Sequence, residues 1–248
     1  MCNPSAIEAA LAASGVTAET LSPAAVAALD RDGYFIFRQA IPRDWIGPLI
    51  ERFEALDTPS HLWSIPREFG TRHAMLDDDA LVRRTCLLPV ILAAVFHYLR
   101  RRFHLASVEG RDPLPGHGSQ RLHRDWTAEG PTPLVKALAF LDPYGPGNGA
   151  TRVIPGSHLD PGDGSAFRQY GDNHPRQVVL EGEAGDVFLF HGRLAHAGAR
   201  NMSGAKRRAL QMWFRGHELY RPAEETRALL GLSPLERFWL GQSELVAA

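Results

Sequence analysis

The second half of the chain is a succession of short apolar runs separated by glycine and proline. From about residue 104 these runs are His104–Glu109, Leu122–Thr127, Leu134–Leu141, Thr151–Ile154, Gln177–Leu180, Asp186–Phe190 and Arg207–Phe214. Strands this short, with turn residues between them, are typical of antiparallel sandwiches and jelly rolls. The pattern therefore predicts a mainly β fold for this half.

The first half is predicted to be mainly helical. Ser22 and Pro23 form a typical helix start, because serine caps free backbone N–H groups and proline already has a helical φ. Apolar side chains share one helical face over Pro42–Leu56, and a further helix is predicted over Val90–Phe103. Tyr34–Phe37 is predicted to be a strand. These elements predict helices that flank the β core.

Nothing along the chain separates two cores, and the helical half is too sparse in apolar residues to fold alone. We therefore predict a single domain over residues 1–248, with helices packed on a β-sandwich. Its parts are a helical N-terminal part of about residues 1–103, a β core of about residues 104–216 and a C-terminal tail of residues 217–248.

Charge and composition exclude several partners. The formal net charge is −1 and the basic residues are scattered, so the sequence predicts neither nucleic-acid nor membrane-surface binding. The longest apolar stretch, Leu87–Phe96, is interrupted by Pro89 and is shorter than the roughly 20 residues of a membrane span. Two cysteines form no disulfide framework, and the first residues do not resemble a signal peptide. We expect a cytoplasmic protein.

Two His-x-Asp triplets occur, and their surroundings distinguish them. His123-Arg124-Asp125 lies in a predicted strand, where residues two apart point to the same face. His123 and Asp125 can therefore present an imidazole and a carboxylate to one metal ion. His158-Leu159-Asp160 lies in a turn-rich stretch where that period does not hold, so we expect His158 to brace the loop instead.

A third ligand has to come from elsewhere, and His191 and His196 compete for the role. His191 ends the predicted strand Asp186–Phe190, where a hydrogen-bonded histidine is the more common case. His196 precedes a loop that leads back to a strand starting at Arg207, so we expect His196 and that strand to lie side by side. With His196, the set has two histidines and one carboxylate. Such a set holds one face of an octahedral Fe(II) and leaves three positions open.

Arg207 is predicted to point into the cavity beside the metal. Alternation along Arg207–Phe214 puts Arg207, Gln211 and Trp213 on one face and mostly core-like residues on the other. A guanidinium in the cavity would bind a carboxylate through two parallel hydrogen bonds, which lysine does less well. A register slip of one residue would put Arg208 there instead, and that alternative stays open.

Taken together, these residues resemble the phytanoyl-CoA dioxygenase (PhyH) family of Fe(II)/2-oxoglutarate-dependent oxygenases. The similar pieces, in order, are Gln120-x-x-His123-x-Asp125-Trp126, Asn148-Gly149-x-Thr151-x-x-x-Pro155-Gly156-Ser157-His158, Gly185-Asp186-x-x-x-x-His191 and His196-x-x-x-x-Asn201-x-Ser203-x-x-x-Arg207. The opening Leu29–Phe37 is also similar to that family's N-terminal region. The resemblance extends from about residue 20 to residue 216.

The resemblance implies a double-stranded β-helix core (jelly roll, cupin-like) with Fe(II) held by His123, Asp125 and His196. It also implies that 2-oxoglutarate and O2 are cosubstrates and that a C–H bond of a small molecule is hydroxylated or otherwise oxidised, with release of succinate and CO2. Related halogenases carry a small residue in place of the carboxylate. The presence of Asp125 therefore favours hydroxylation or a related oxidation over halogenation.

For 2-oxoglutarate, the resemblance implies that Arg207 binds the distal carboxylate and that Gln120 and Thr151 make further contacts. An ordinary hydrogen bond to the backbone is an equal alternative for Gln120 and Thr151. Two other functions stay open: a jelly-roll metalloenzyme that does not use 2-oxoglutarate, and a catalytically silent small-molecule-binding protein of the same fold.

The substrate is predicted only as a class: a natural product, an amino-acid derivative or an acyl compound. Residues 58–80, 158–176 and the tail match no motif, and we expect substrate to be selected there. Trp63, Arg72 and Arg193 are candidate substrate contacts. Trp126 and Trp213 are interpreted as core or cavity-lining side chains, and Asp77–Asp79 as a loop or helix start.

Overall fold

The computed structural model describes residues 4–55, 71–72, 79–125, 133–162, 165, 167, 174–216 and 231–243. Its α-helices are α1 Pro4–Ala13, α2 Pro23–Asp32, α3 Arg43–Ala55, α4 Ala80–Cys86, α5 Pro89–Leu99 and α6 Pro234–Trp239. Its strands are β1 Tyr34–Phe37, β2 Thr71–Arg72, β3 Phe103–Arg111, β4 Leu134–Phe140, β5 Thr151–Val153, β6 Val178–Val179, β7 Val187–His191, β8 His196–Gly198 and β9 Ala209–Gly216.

Local sequence signals explain where the first helices begin and end. The Ser22 hydroxyl accepts a hydrogen bond from the Ala25 N–H at 3.1 Å, and α2 ends at Asp32, just before Gly33, whose φ of 82° is left-handed. The helix predicted to continue to Phe103 instead ends at Leu99, because Arg100 takes a left-handed φ of 50° and Phe103 already begins β3. That predicted boundary was wrong by one helical turn.

The strands form two antiparallel sheets. The larger sheet has the order β1-β7-β4-β9-β3-β2, and the smaller has the order β6-β5-β8. Isolated bridges between His123 and His196 and between Asn148 and Asn201 add further pairing beside the smaller sheet. Two facing antiparallel sheets with flanking helices are what a jelly roll requires.

The large sheet is buried on both faces, which explains why β4 has no exposed residue. Val135, Ala137 and Ala139 belong to a cluster with the helices, which includes Leu29, Phe53 and Ile91. Leu138 and Phe140 alternate with them and pack against Val153 and Leu180 of the smaller sheet's side. The helices thus cover one face and the small sheet covers the other.

Two further sequence expectations were wrong. His123 makes a single bridge and does not sit in a continuous strand over Leu122–Thr127, of which residues 126–127 lie outside the described part. His196 does not lie beside the return strand either, because β8 pairs with β5 whereas β9 pairs with β3 and β4 in the other sheet. Between β8 and β9 the chain therefore crosses from one sheet to the other.

The C-terminal part, predicted as a tail, contributes to the core where it is described. Ser233 and Glu236 form a capping box at the start of α6, and Phe238 and Trp239 are buried against the large sheet and the helices. The segment predicted to be a tail thus adds a short helix to the main core.

Within the described residues, a single helix of the length and apolar character needed to cross a membrane is not found. Together α4 and α5 meet that test of length and composition, but they are bent by 47° at the break between them.

Candidate active site

His123, Asp125 and His196 come together at one point between the two sheets. His123 and His196 hold each other through two backbone hydrogen bonds of 3.0 Å, and the Asp125 N–H donates to the Gly192 carbonyl at 3.1 Å. Nε2 of His196 lies 3.1 Å from Asp125 Oδ2, and Nε2 of His123 lies 3.8 Å from Oδ1. Ligand atoms of the three residues all lie within 4.8 Å of one another. These separations suit three ligands of one ion.

Both imidazoles are oriented by their own backbone. Nδ1 of His123 lies 2.8 Å from the Arg121 carbonyl oxygen, and Nδ1 of His196 lies 2.9 Å from the Leu194 carbonyl oxygen. Because a carbonyl oxygen can only accept, each Nδ1 carries a proton, and each Nε2 faces Asp125 as the ring nitrogen left to bind a metal ion. A hydrogen bond of this kind on the far nitrogen is the usual support of a metal-binding histidine.

Electrostatics keep His123 and Asp125 in the forms that bind a metal. Burial, followed by the neighbouring His196, lowers the pKa of His123 to about 4, so its ring is neutral at neutral pH. Burial alone would raise the pKa of Asp125, but Lys136, His196 and His123 outweigh it and hold that pKa well below its usual range. A neutral imidazole and an ionised carboxylate are the states that ligate.

The three residues line a cavity of about 100 Å³. The other side chains that border it include Arg111, Gln120, Lys136, Leu138, Thr151, Phe190, Arg207, Gln211 and Trp213. Each predicted metal-binding and 2-oxoglutarate-binding residue is therefore part of one cavity.

Arg207 reaches the cavity from the segment just before β9. It is 6% exposed, donates a hydrogen bond to the Tyr144 hydroxyl and stacks 4.6 Å from the centre of the Tyr144 ring. Burial, followed by the nearby Arg111, lowers its pKa to about 9. Among the described residues, no carboxylate forms an ion pair with Arg207, so its buried charge is suited to an anionic ligand.

Arg208 points the other way, which settles the register left open by the sequence. Its guanidinium binds both oxygens of Asp142, at 2.8 Å and 2.7 Å, and also Glu54 at 2.9 Å. The side chain that faces the cavity is that of Arg207.

Gln120 and Thr151 both border the cavity, but Gln120 also has a backbone role. Its Oε1 accepts a hydrogen bond from the Gly198 N–H at 3.0 Å, and a Cβ at Gly198 would approach the Gly118 carbonyl oxygen to 2.7 Å. Thr151 begins β5 and is buried. The hydrogen bond to the backbone foreseen as an alternative for Gln120 is therefore present, and a contact with 2-oxoglutarate stays a prediction.

Sequence comparison places this arrangement among known proteins. The phytanoyl-CoA dioxygenase family matches residues 29–209. The iron/alpha-ketoglutarate-dependent dioxygenase ausO of Aspergillus calidoustus is 30% identical over 233 residues, which cover 82% of this chain and 75% of that protein. The chain belongs to the phytanoyl-CoA dioxygenase family. The predicted family and its enzyme class, the iron- and 2-oxoglutarate-dependent oxygenases, are thereby confirmed at the level of the family.

Other curated relatives of this family match over shorter segments. Dioxygenase aneA of Aspergillus aculeatus is 37% identical over 99 residues, which cover 36% of this chain and 32% of aneA. The Fe(II)/2-oxoglutarate-dependent dioxygenase nvfF of Aspergillus novofumigatus is 38% identical over 98 residues, 36% of this chain and 31% of nvfF. The chain thus spans about a third of the length of these two relatives.

Solved structures support the predicted jelly-roll fold. The non-heme alpha ketoglutarate dependent carbocyclase SnoK from nogalamycin biosynthesis superposes with a TM-score of 0.67 at 21% identity, covering 88% of this chain and 93% of SnoK. HygX from Streptomyces hygroscopicus, with nickel, 2-oxoglutarate and hygromycin B bound, superposes with a TM-score of 0.66 at 18% identity, covering 79% of this chain and 88% of HygX. The fold of this family member is the predicted one.

Two cations that border the cavity of this family member were not predicted from its sequence. Lys136 lies in the middle of β4, and its ammonium is 2.8 Å from Asp125 Oδ2. Arg111 ends β3 and pairs with Glu109 at 3.2 Å. One signal was available for Lys136: it is the only charged residue in the run Leu134–Leu141. A charge inside an otherwise apolar strand indicates a polar site.

The other histidines and acids singled out from the sequence lie away from the metal ligands. His191 Nδ1 accepts a hydrogen bond from the Arg193 N–H at 3.1 Å, as expected for a strand end. His158 lies in a 3₁₀ turn with Nε2 3.2 Å from the Asp30 carbonyl oxygen, so it braces the loop. Asp79 caps α4 by accepting from Leu81 and Val82.

Of the candidate substrate contacts, Trp63 and the side chain of Arg72 lie outside the described residues. Trp126, Asp77 and Asp78 lie outside them too. Arg193 binds the His158 and Asp160 carbonyl oxygens at 3.3 Å and 2.8 Å, which holds the turn after β5. Trp213 borders the cavity.

Proposed function

We propose that this chain is an Fe(II)- and 2-oxoglutarate-dependent oxygenase that oxidises a C–H bond of a small-molecule natural product. The observation that carries the proposal is the convergence of three lone-pair donors. Nε2 of His196 lies 3.1 Å from Asp125 Oδ2, Nε2 of His123 lies 3.8 Å from Oδ1, and ligand atoms of all three residues lie within 4.8 Å of one another. A single ion placed between them could be bound by all three.

The ligand types favour iron over magnesium and calcium. Two imidazoles and one carboxylate match the set that binds non-haem Fe(II) and keeps positions open, whereas Mg²⁺ and Ca²⁺ prefer oxygen ligands only. When bound there, iron and 2-oxoglutarate supply the O2-dependent oxidation, and the protein supplies position and exclusion of water.

Arg207 is proposed to bind the distal carboxylate of 2-oxoglutarate. Its guanidinium is buried, is held by Tyr144 and forms no ion pair with a carboxylate among the described residues. A carboxylate of bound 2-oxoglutarate would therefore provide the missing counter-charge. Tyr144 is in turn fixed by stacking on Phe140 with ring centres 3.8 Å apart. Thr151 and Gln120 border the same space and are proposed as lesser contacts.

The proposed substrate class is a small-molecule natural product. HygX was crystallised with hygromycin B, and SnoN, the epimerase from nogalamycin biosynthesis, was crystallised with nogalamycin RO. Hydroxylation is proposed ahead of halogenation because Asp125 occupies the carboxylate position. The cytoplasmic location, and the lack of nucleic-acid and membrane partners, remain predictions.

The proposal is tested by adding Fe(II) and then 2-oxoglutarate to the protein without oxygen. We expect a visible charge-transfer band, which requires both carboxyl-keto chelation and open metal positions. His196→Ala should abolish the band, and His117→Ala, which changes an exposed histidine outside the cavity, should keep it.

Substrate-dependent formation of succinate separates the remaining alternatives. A silent binding protein would develop the band but would release no succinate when a panel of natural products is added. A metalloenzyme that does not use 2-oxoglutarate would bind Fe(II) and show no band. Either result, obtained with folded protein, would overturn the proposal.

A further inference from the structure

Lys136 occupies an unusual place opposite the metal ligands. It lies at the centre of β4, in register with Phe190 of β7 on one side and Trp213 of β9 on the other. Its side chain is 4% exposed, and its ammonium lies 4.1 Å from the centre of the Trp213 ring and 5.7 Å from that of Phe190. Sheet register and two aromatic rings thus fix this ammonium.

The ammonium contacts one carboxylate oxygen and leaves the other. Lys136 Nζ lies 2.8 Å from Asp125 Oδ2, and with a metal ion on both histidine Nε2 atoms it would be the one side-chain donor to that carboxylate in the part of the chain that the structure describes. Oδ1 faces His123 Nε2 at 3.8 Å and has no donor among those residues. The two oxygens of Asp125 therefore have different surroundings.

The contact also joins the two layers of the fold. Asp125 and the histidines belong to the side of β5 and β8, whereas Lys136 belongs to the large sheet. The Asp125 side chain is consequently held by its own backbone from one side and by Lys136 from the other. A buried ligand carboxylate needs such a partner to keep one orientation.

We propose that Lys136 is a positioning residue that holds Asp125 as a one-oxygen metal ligand. By binding one carboxylate oxygen from the opposite sheet, it would prevent Asp125 from using both oxygens and so preserve the open positions that chelation and O2 require. The inference rests on the metal centre proposed above and adds a residue that the ligand pattern does not include.

A contrary role makes the opposite prediction about metal affinity. If Lys136 only neutralised Asp125 in the metal-free protein, its positive charge would compete with the metal ion. Removing it would then strengthen metal binding. The sign of the change in affinity therefore decides between the two roles.

The experiment measures Ni(II) binding by calorimetry in the full chain, without 2-oxoglutarate. We expect Lys136→Met to weaken Ni(II) binding about 10- to 100-fold, the usual effect of removing the partner of a metal ligand. Lys136→Arg, which keeps the charge and the donors, should bind Ni(II) closer to wild type than to Lys136→Met. Lys206→Met is the matched control, because Lys206 pairs with Glu54 outside the cavity and should leave Ni(II) affinity unchanged.

Co(II) absorption provides a readout that a general loss of stability would not move. The visible spectrum depends on the number and arrangement of ligands, so Lys136→Met should alter it at saturating Co(II), and Lys136→Arg should retain the wild-type form. Near-ultraviolet circular dichroism verifies that each variant is folded before titration.

The outcomes are distinct for the two proposals. Ni(II) affinity of Lys136→Met equal to or above that of wild type, or an unchanged Co(II) spectrum, overturns the positioning role and leaves the metal centre intact. Failure of the wild-type chain itself to bind Ni(II) or Co(II) overturns both the metal centre and the role of Lys136.

Discussion

The two faces of the large sheet differ: one packs against the helices and the other borders the cavity. On β4, Val135, Ala137 and Ala139 face the helices and are entirely apolar, whereas Lys136 and Leu138 alternate with them and border the cavity. The same strand thus stabilises the fold on one face and builds the site on the other. Substitutions on the helix-covered face should change unfolding, and substitutions on the cavity face should change binding.

Arg207→Met on the cavity face should give the largest effect on binding. Losing the partner of a buried carboxylate costs about 2–5 kcal/mol, or about 30-fold to several thousand-fold in the Kd of 2-oxoglutarate. The midpoint of thermal unfolding should stay the same or rise, because the buried guanidinium has no carboxylate partner among the described residues. Titration of the charge-transfer band measures the Kd.

Arg208→Met is the control for that experiment. Arg208 binds Asp142 and Glu54 outside the cavity, so its loss should lower stability slightly and leave the affinity for 2-oxoglutarate unchanged. Equal losses of affinity in the two arginine variants would contradict the assignment of Arg207.

Leu189→Ala and Leu138→Ala compare the two faces directly. Leu189 is fully buried among the helix-covered cluster, so its truncation should lower the free energy of unfolding by about 2–5 kcal/mol. Leu138 already borders an open cavity, so its truncation should cost less, about 1–2 kcal/mol. Urea unfolding gives both values, and the reverse order would break the comparison.

Acid should destabilise the helix-covered side through His191. Burial lowers the pKa of His191 to about 3, and its ring packs 5.0 Å from that of Tyr98 on α5. The unfolded chain, with an ordinary pKa near 6.5, then takes up a proton first as the pH falls. The free energy of unfolding should fall by up to about 1.4 kcal/mol per pH unit below about pH 6.5, until about pH 3.

Urea unfolding at a series of pH values measures this slope. His191→Gln removes the titrating group and should flatten the dependence between pH 6.5 and pH 5. An unchanged slope in that variant would assign the acid sensitivity to other groups, such as His158, whose pKa burial also lowers.

Ser22→Ala should have the smallest effect. It removes the hydroxyl that accepts the Ala25 N–H at the start of α2, and such caps contribute about 1 kcal/mol to the free energy of unfolding. α2 packs into the helix-covered cluster and contributes no residue to the cavity lining, so the Kd of 2-oxoglutarate should not change. A measurable change in Kd would mean that the two faces are coupled.

Much of the cavity was predictable because its ligands follow local rules. The spacing of His123 and Asp125, and of the polar residues from His196 to Arg207, identified the right residues, although His123 makes only a single bridge and β8 does not pair with β9. The choice of His196 over His191 also followed from local context, since His191 ends β7 and bonds to Arg193. Such patterns can be recognised in a sequence because they depend on residues that are close together along the chain.

The errors came from places where distant contacts override local preference. The helical pattern of the sequence continues up to Phe103, but α5 ends where Arg100 takes a left-handed conformation. Phe103 instead begins β3, which pairs with β9. α6 lies in the segment interpreted as a tail, yet Phe238 and Trp239 of this helix are buried in the core. Burial of apolar area outweighs weak local propensities.

By itself, the sequence determined the residue types that can hold a metal and a dicarboxylate, their order and the β character of the segment that carries them. Only the tertiary structure decided that β8 and β9 lie in opposite sheets, so that His196 and Arg207 face one cavity from different sides. It also brought Lys136 to Asp125. Spacing along a chain describes residues on one element, whereas a cavity between sheets depends on which strands pair, and pairing is a property of the whole fold.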